Sequence, residues 1–540
     1  MSFACRLILL PALAAWLAAA ADFDVLVRGA RIADGSGNPW FVADIGIRGD
    51  TISEIGKLDG RTAGLEIQAG GLTAVPGFID IHSHGRRGLF EQPAAENYLR
   101  QGVTTIIEGP DGSSPLPVGD FLEKLRRTPI AVNFGMFVGQ GTIRSRVLGL
   151  ENRRATPEEI RKMEALVEQA MREGAFGLSA GLFYVPGNYT PAEEIIALAR
   201  AAARFGGIYI AHIRDEAANV VESVKETIRI GEEAGLPVQV THHKIIGRAN
   251  WGKSAETLLL IEEARTRGVD VTVDQYPYAA TSTGTAALFP QWAQEGGQAE
   301  LVKRLRDPAL RERIRKEVVY RILHDRGAGD PANVVMAYCG FDPSLAGKDL
   351  ARITRERGRT VTAETAAETA IEIQMEGGCS AVYHAVSEAD VERILQAPFT
   401  MVASDGEIPA FGRGAPHPRS YGTFARVLAR YVRERKLLRL EEAVRRMSSL
   451  PAARLGLWDR GLLRPGMKAD LALLDPEAVA DRATFQEPHQ YAVGVRHVLV
   501  NGKAVLLDGV LTPERPGRVL YGPGYSPDKP REEAGSTSPR

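Results

Sequence analysis

Between residues 77 and 405 the chain repeats one rhythm: a short apolar run, then a longer stretch with helical spacing. The apolar runs fall at 77–84, 104–108, 131–138, 174–182, 208–214, 238–244, 270–278 and 400–405. Helical patterns at 157–173, 191–205, 217–234 and 255–267 separate several of them. Eight strands alternating with helices is the arithmetic of an α/β fold closed into a (β/α)₈ barrel of the TIM type. The interval before the last strand is much longer than the others. Residues from about 283 to 395 carry extra helical pattern, at 298–323 and 363–376, and are expected to form an insertion over one mouth of the barrel.

Both ends of the chain read differently. Residues 22–75 alternate apolar and polar positions over short stretches, punctuated by Asp34-Gly35, Gly49-Asp50 and Asp59-Gly60. Similar short strands return at 469–474 and 495–500, the latter followed by Asn501-Gly502. Two half-sheets at opposite ends complete each other only if the middle is inserted between them. The expected organisation is therefore a small β-sandwich domain from 22–75 plus 450–520, around a central barrel at 76–449. Arg6, the apolar run 7–18 and the small residues Ala19, Ala20 and Ala21 have the form of a secretory signal peptide over residues 1–21. That run is shorter than the ~20 residues of a transmembrane span. Export, to a periplasm or beyond, is the expectation, with no membrane attachment after signal removal. The tail at 521–540 is poor in apolar residues and is expected to be disordered.

Charge narrows the partner. The 66 Lys+Arg balance 67 Asp+Glu, and no basic run interleaves with aromatics, so there is no footprint for nucleic acid or an anionic membrane. A small-molecule substrate fits better. Beyond the signal only Cys339 and Cys379 remain, and whether they pair is not set by their spacing. Oligomeric state has no readable signal.

The strongest chemical signal is Pro76-Gly77-Phe78-Ile79-Asp80-Ile81-His82-Ser83-His84. Side chains alternate across a strand, so Asp80, His82 and His84 share one face and Ile79 and Ile81 the other. With the isoleucines against the helices, both imidazoles face inward at the strand's C-terminal end, where barrel enzymes keep their sites. His212 ends a later strand, and Thr241-His242-His243-Lys244 ends the next. Parity groups His242 with Lys244 and leaves open which of the adjacent histidines turns inward. Asp405, in Ser404-Asp405-Gly406, ends the last strand and is a candidate metal ligand or proton acceptor. Gly177-Leu178-Ser179-Ala180-Gly181 matches Gly-x-Ser-x-Gly, but a nucleophile serine needs a sharp strand-to-helix turn and Ser179 lies inside a strand.

With these residues the chain resembles the amidohydrolase superfamily. Gly181-Leu182-Phe183-Tyr184-Val185-Pro186-Gly187, Ala211-His212-Ile213-Arg214-Asp215-Glu216, Thr241-His242-His243-Lys244 and Tyr276-Pro277-Tyr278 are similar, more narrowly, to the N-acyl-D-amino-acid deacylases, over about residues 22–515. The resemblance implies zinc-dependent hydrolysis of N-acyl-D-amino acids by metal-activated water. It implies His212 and His242 as ligands of a tightly held zinc, with His82, His84 and Asp405 at a neighbouring weaker site. Asp405 would also be the general base, Lys244 would face the substrate carboxylate, and Tyr184, Tyr278 and Arg419 would line the pocket. Two departures matter. Where the family has a cysteine ligand after the second strand, this chain has Asp111, with Glu108 as the alternative ligand. A carboxylate is harder than a thiolate, so Mn²⁺ or Co²⁺ should compete better with Zn²⁺. Gly85 stands where the family often has an acidic residue. The same site would also suit a cyclic amide, a ureide or a dipeptide. A non-catalytic barrel would be expected to lack one of these ligands, and none is missing.

Overall fold

The computed structural model describes residues 21–527, so residues 1–20 of the expected signal segment and the last residues of the tail, 528–540, lie outside the described residues. Eight parallel barrel strands are present: β1 (Phe78–Asp80), β2 (Val103–Glu108), β3 (Asn133–Met136, continuing as Val138–Gly139), β4 (Gly177–Gly181), β5 (Ile208–His212), β6 (Val238–Val240), β7 (Val271–Gln275) and β8 (Thr400–Val402). They do not form one closed ladder. One arc runs from β1 to the first half of β3, and a second from the rest of β3 through β4–β7 to β8. The break falls at Phe137, so β3 pairs with β2 through its first half and with β4 through its second. At the other seam, Asp405 N–H donates to His82 O at 2.8 Å and His84 N–H to Gly406 O at 2.7 Å. Residues of the candidate site thus bridge the seam between β1 and β8.

Several strands stop earlier than the apolar runs suggest, and this overturns the parity argument for the first strand. Ile79 and Ile81 do not pack among the helices that follow the barrel strands; they cluster with Ile107, Phe137, Ile208, Ile210, Met401 and Ala403, and with Ala452 and Leu455 of helix Ser449–Leu455. Phe78 instead stacks on Phe424, ring centroids 5.8 Å apart. The register shifts between Phe78 and Ile79, and the strand ends at Asp80. His82 and His84 reach the mouth through the irregular backbone beyond it, not through strand alternation.

The inserted unit spans residues 281–384. Its strands Thr281–Gly284, Cys379–Tyr383 and Val334–Cys339 form a small antiparallel sheet, and helices Gln298–Arg306, Pro308–His324 and Ala363–Met375 pack around a separate core including Phe289, Leu301, Ile314, Val318 and Ile371. A Cys339–Cys379 disulfide joins two of its strands. The following helix, Glu388–Gln396, packs against β7 and β8 and belongs to the barrel.

The chain ends meet in a nine-stranded sheet, where Thr73–Pro76 runs antiparallel to Leu471–Leu474. The start of the tail, expected to be disordered, is packed: Gly522 N–H donates to Gly174 O at 2.8 Å, and the rings of Tyr521 and Tyr525 stack at 3.9 Å. Backbone hydrogen bonds and one aromatic pair hold this segment, and apolar composition does not report either.

Candidate metal centre

Six side chains converge at the C-terminal ends of the strands. His82, His84, Asp111 and Asp405 form one group, and Asp111, His212 and His242 a second, the ligand atoms of each lying within 4.8 Å of one another. Asp111 is shared. Its Oδ1 lies 3.4 Å from His242 Nε2 and 3.7 Å from both His82 Nε2 and His212 Nδ1, while its Oδ2 lies 3.4 Å from His84 Nε2. Asp405 Oδ1 lies 3.0 Å from His84 Nε2 and 3.5 Å from His82 Nε2. Glu108 stands outside both groups, because its carboxylate accepts from Arg86 N–H at 2.8 Å and pairs with Arg86 Nε at 3.3 Å. His243 faces away from the cluster and meets Thr257 Oγ1 at 2.8 Å.

The turn that presents Asp111 follows from local sterics. A Cβ at Gly109 would meet Phe137 O at 2.4 Å, and one at Gly112 would meet Gly181 N at 2.6 Å, so the turn can nest against β3 and β4 only with glycine at both places. Ser179 brackets it, donating to Gly109 O at 2.5 Å and accepting from Gly112 N–H at 3.2 Å. The Gly-x-Ser-x-Gly serine is thus a support for the Asp111 turn.

Whether a cation fits is decided by the unpaired atoms. Both ring nitrogens of His82, both of His212 and Asp111 Oδ1 are buried without a hydrogen-bond partner among the described residues. Leaving such groups unpaired is costly, and imidazole nitrogens converging on carboxylate oxygens make a donor set suited to zinc-like ions. The electrostatics agree. Burial alone would raise Asp111 and Asp405, yet His242 and His82 beside the first, and Arg419 and His82 beside the second, hold both well below the usual carboxylate range. Burial would depress His84, but Asp111 and Asp405 push it up to about 9. The carboxylates favour positive charge at this mouth.

A cavity of about 530 Å³ opens over the cluster, bordered by Tyr184, Tyr276, Lys244, Arg419 and, from the inserted unit, Thr281–Gly284. Residues 65–506 match the amidohydrolase family. The chain is 38% identical to a D-aminoacylase of Alcaligenes xylosoxydans xylosoxydans, over 92% of this chain and 97% of that one. It is 36% identical to the N-acyl-D-glutamate deacylase of the same organism, covering 92% and 96%. A D-aminoacylase crystal structure superposes with a TM-score of 0.79 at 37% identity, covering 92% of this chain and all of that one. The zinc- and phosphonate-bound N-acyl-D-glutamate deacylase of Bordetella bronchiseptica superposes equally well, TM-score 0.79 at 34% identity, with 93% of this chain and 100% of that one covered.

The chain belongs to the amidohydrolase family. In this amidohydrolase a second layer of carboxylates, not singled out by sequence reasoning, surrounds the ligands. Glu216 lies 3.2 Å from His242 Nδ1 and 3.5 Å from His212 Nε2, and Asp274 lies 3.4 Å from His82 Nδ1 while accepting from His242 N–H at 2.7 Å. Such partners orient ligating imidazoles. Their signals were present, Glu216 four residues after His212 and Asp274 alternating along β7. Asp80 bonds to the Ser404 backbone and hydroxyl, and burial pushes its carboxyl up to about 7.

Lys244, expected to face a substrate carboxylate, donates to Glu216 and meets His242 Nδ1 at 2.7 Å. Arg419 Nη1 lies 2.7 Å from Asp405 Oδ2 and its guanidinium sits over the Tyr276 ring at 4.8 Å. Tyr184 packs its ring 4.7 Å from His212 and meets Thr283 Oγ1 at 3.1 Å. Tyr278, expected in the pocket, is not among its lining residues. It packs against His417 at 5.1 Å and under Arg426 at 4.7 Å, and Tyr276 takes the pocket position. The cause is the tight turn closed by Tyr278 N–H donating to Tyr276 O at 2.9 Å, which ends strand alternation there.

Proposed function

We propose that this amidohydrolase cleaves the amide bond of N-acyl-D-amino acids, releasing a carboxylate and a free D-amino acid. The observation that carries the reading is the pair of ligand groups sharing Asp111, with Asp405 paired to Arg419 at 2.7 Å beside them. The relatives named D-aminoacylase and N-acyl-D-glutamate deacylase support the substrate class. His212, His242 and Asp111 would hold the tight ion, and His82, His84 and Asp405 a second, weaker one. Zinc is the proposed metal, and the carboxylate of Asp111 lets Mn²⁺ or Co²⁺ compete. When bound, the metal polarises the amide carbonyl and acidifies water.

The remaining work belongs to the chain. Arg419 keeps Asp405 ionised, so Asp405 accepts a proton from the attacking water and passes it to the leaving amine nitrogen. Lys244 donates to Glu216, and its remaining N–H donors, with Arg419, meet the substrate α-carboxylate; His242 Nδ1, which carries the ring proton when Nε2 holds a metal, turns to Glu216 at 3.2 Å. Tyr184 and Tyr276 wall the pocket. We also propose export: the N-terminal pattern supports it, as does a disulfide, which persists in oxidising compartments. Expression of the full chain and sequencing of the mature N-terminus checks this; a cytoplasmic, unprocessed product would refute it.

The test of function is hydrolysis of paired N-acetyl-D- and N-acetyl-L-amino acids by metal-loaded protein, with Asp405→Asn alongside. Release of the D-amino acid alone, reduced by about 10²–10⁴-fold in the variant, is expected. No amine from either series, with metal bound, would overturn the reading in favour of cyclic amides or dipeptides.

A further inference from the structure

Five cations border the cavity, and four pair with a carboxylate at 3.3 Å or closer. Arg86 pairs with Glu108 at 3.3 Å, Arg87 with Glu407 at 2.5 Å, Arg419 with Asp405 at 2.7 Å, and Lys244 with Glu216. Arg326 is the exception. It comes from the inserted unit, just beyond helix Pro308–His324, and is 2% exposed. Its Nε has no hydrogen-bond partner among the described residues. Its nearest carboxylate oxygen, Glu216 Oε2, forms a long ion pair at 3.7 Å, beyond hydrogen-bond distance, and the other Glu216 oxygen is bonded to Lys244. The neighbouring Asp325 is taken by Arg321 at 2.8 Å. The guanidinium lies over the Phe183 ring at 4.4 Å and 5.8 Å from that of Tyr383, so aromatic walls rather than acceptors surround it.

A buried guanidinium is a planar fork of donors matched to a carboxylate, and one held only by a long ion pair leaves donors unsatisfied at a cost. The other walls point the same way. No Leu, Ile, Met or Phe lines the cavity among the described residues, and hydroxyls do: Thr281, Ser282, Thr283 and Ser380. The apolar lining is confined to Val185, Pro186 and the rings of Tyr184 and Tyr276, and hydroxyls cover the face contributed by the inserted unit. Resting on the deacylase reading proposed above, the geometry points to Arg326 as the anchor of a second substrate carboxylate, so that the favoured substrates are N-acyl derivatives of acidic D-amino acids. The α-carboxylate stays with Lys244 and Arg419, and Arg326 reads the side chain.

The test is kcat/KM for N-acetyl-D-glutamate, its neutral isostere N-acetyl-D-glutamine, and N-acetyl-D-leucine. The wild-type protein is expected to favour glutamate over glutamine by about 10- to 100-fold, the range of a charge-assisted hydrogen bond. In Arg326→Met that ratio should fall by about tenfold or more, chiefly through KM for the glutamate derivative. A ratio left unchanged means a structural arginine and overturns the inference. Should Arg326→Met not fold, Arg326→Lys replaces the fork with a point charge and is expected to lower the ratio, an unchanged ratio again overturning it. Hydrolysis of the leucine derivative with no preference for glutamate overturns this inference alone. Failure to release any D-amino acid overturns the deacylase reading beneath it.

Discussion

Three of the candidate ligands hold backbone conformations that side chains other than glycine rarely adopt: φ is 57° at Asp111, 35° at His242 and 50° at Asp405. Each such residue costs on the order of 1–3 kcal/mol and persists only where its surroundings over-determine it. Here the surroundings are visible: the Ser179 bracket for Asp111, the Asp274 carboxylate on His242 N–H, and the His82 carbonyl on Asp405 N–H. Because Asp111 belongs to both ligand groups, Asp111→Ala is expected to abolish binding at both, read as loss of stoichiometric metal by elemental analysis after dialysis. Asp111→Cys should shift retention toward Zn²⁺ when equal Zn²⁺ and Mn²⁺ compete, since a thiolate is the softer ligand. The adjacent histidines separate in the same assay. His242→Ala should lose metal, whereas His243→Ala should keep it and lower only stability, by about 1 kcal/mol for the lost hydrogen bond to the Thr257 hydroxyl, which keeps Ser254 O as acceptor.

At the scale of elements, the inserted unit is a small structure with its own core that contributes one wall of the cavity through Thr281–Gly284. Its disulfide closes a loop of sequence separation 40 between strand Val334–Cys339 and strand Cys379–Tyr383. Chain-entropy reasoning assigns such a loop about 4 kcal/mol. Cys339→Ala with Cys379→Ala is therefore expected to lower the denaturant midpoint of the unit and raise KM, while metal content, set on the barrel strands, stays unchanged. Denaturation followed by fluorescence, with kinetics at saturating metal, checks both parts. Strand ends were the least legible elements. The apolar runs located all eight strands, but run length does not mark where the ladder stops, because β1, β6 and β8 end in left-handed or irregular backbone that carries polar side chains.

Across the whole molecule, two features tie distant parts together. Asp50, in the N-terminal half of the sheet, pairs with Lys468 at 3.0 Å and Arg518 at 2.6 Å in the C-terminal half. Burial would raise its carboxyl, but Arg518 and Lys468 hold it below its ordinary 3.8. A folded value depressed below the unfolded one contributes stability above pH ~4 that is lost as pH falls further. The groups are partly exposed, so the contribution is below about 1 kcal/mol, and Asp50→Asn should flatten the acid limb of the stability–pH curve by that amount. The second tie is the metal. Buried, unpaired imidazoles at the barrel seam mean that chelation should lower Tm and re-addition of Zn²⁺ restore it in a concentration-dependent way, followed by calorimetry.

The amino-acid order alone determined the βα alternation, the need for the two chain ends to meet, and the candidates His82, His84, His212 and Asp405, with His242 set beside His243 and Asp111 beside Glu108. All of these are written in short-range periodicity or motif, where each residue's neighbours in sequence are its neighbours in space. Tertiary structure decided the rest. It chose Asp111 over Glu108 for the cluster by giving Glu108 to Arg86, and put Tyr276 in place of Tyr278 through one tight turn. It joined Cys339 to Cys379, occupied Lys244 with Glu216, and left Arg326 at the cavity with only a long ion pair to Glu216 and its Nε without a hydrogen-bond partner. Each of these outcomes depends on which groups from separate segments arrive within hydrogen-bonding distance of one another, and that is settled only when the barrel, the inserted unit and the terminal sheet have packed.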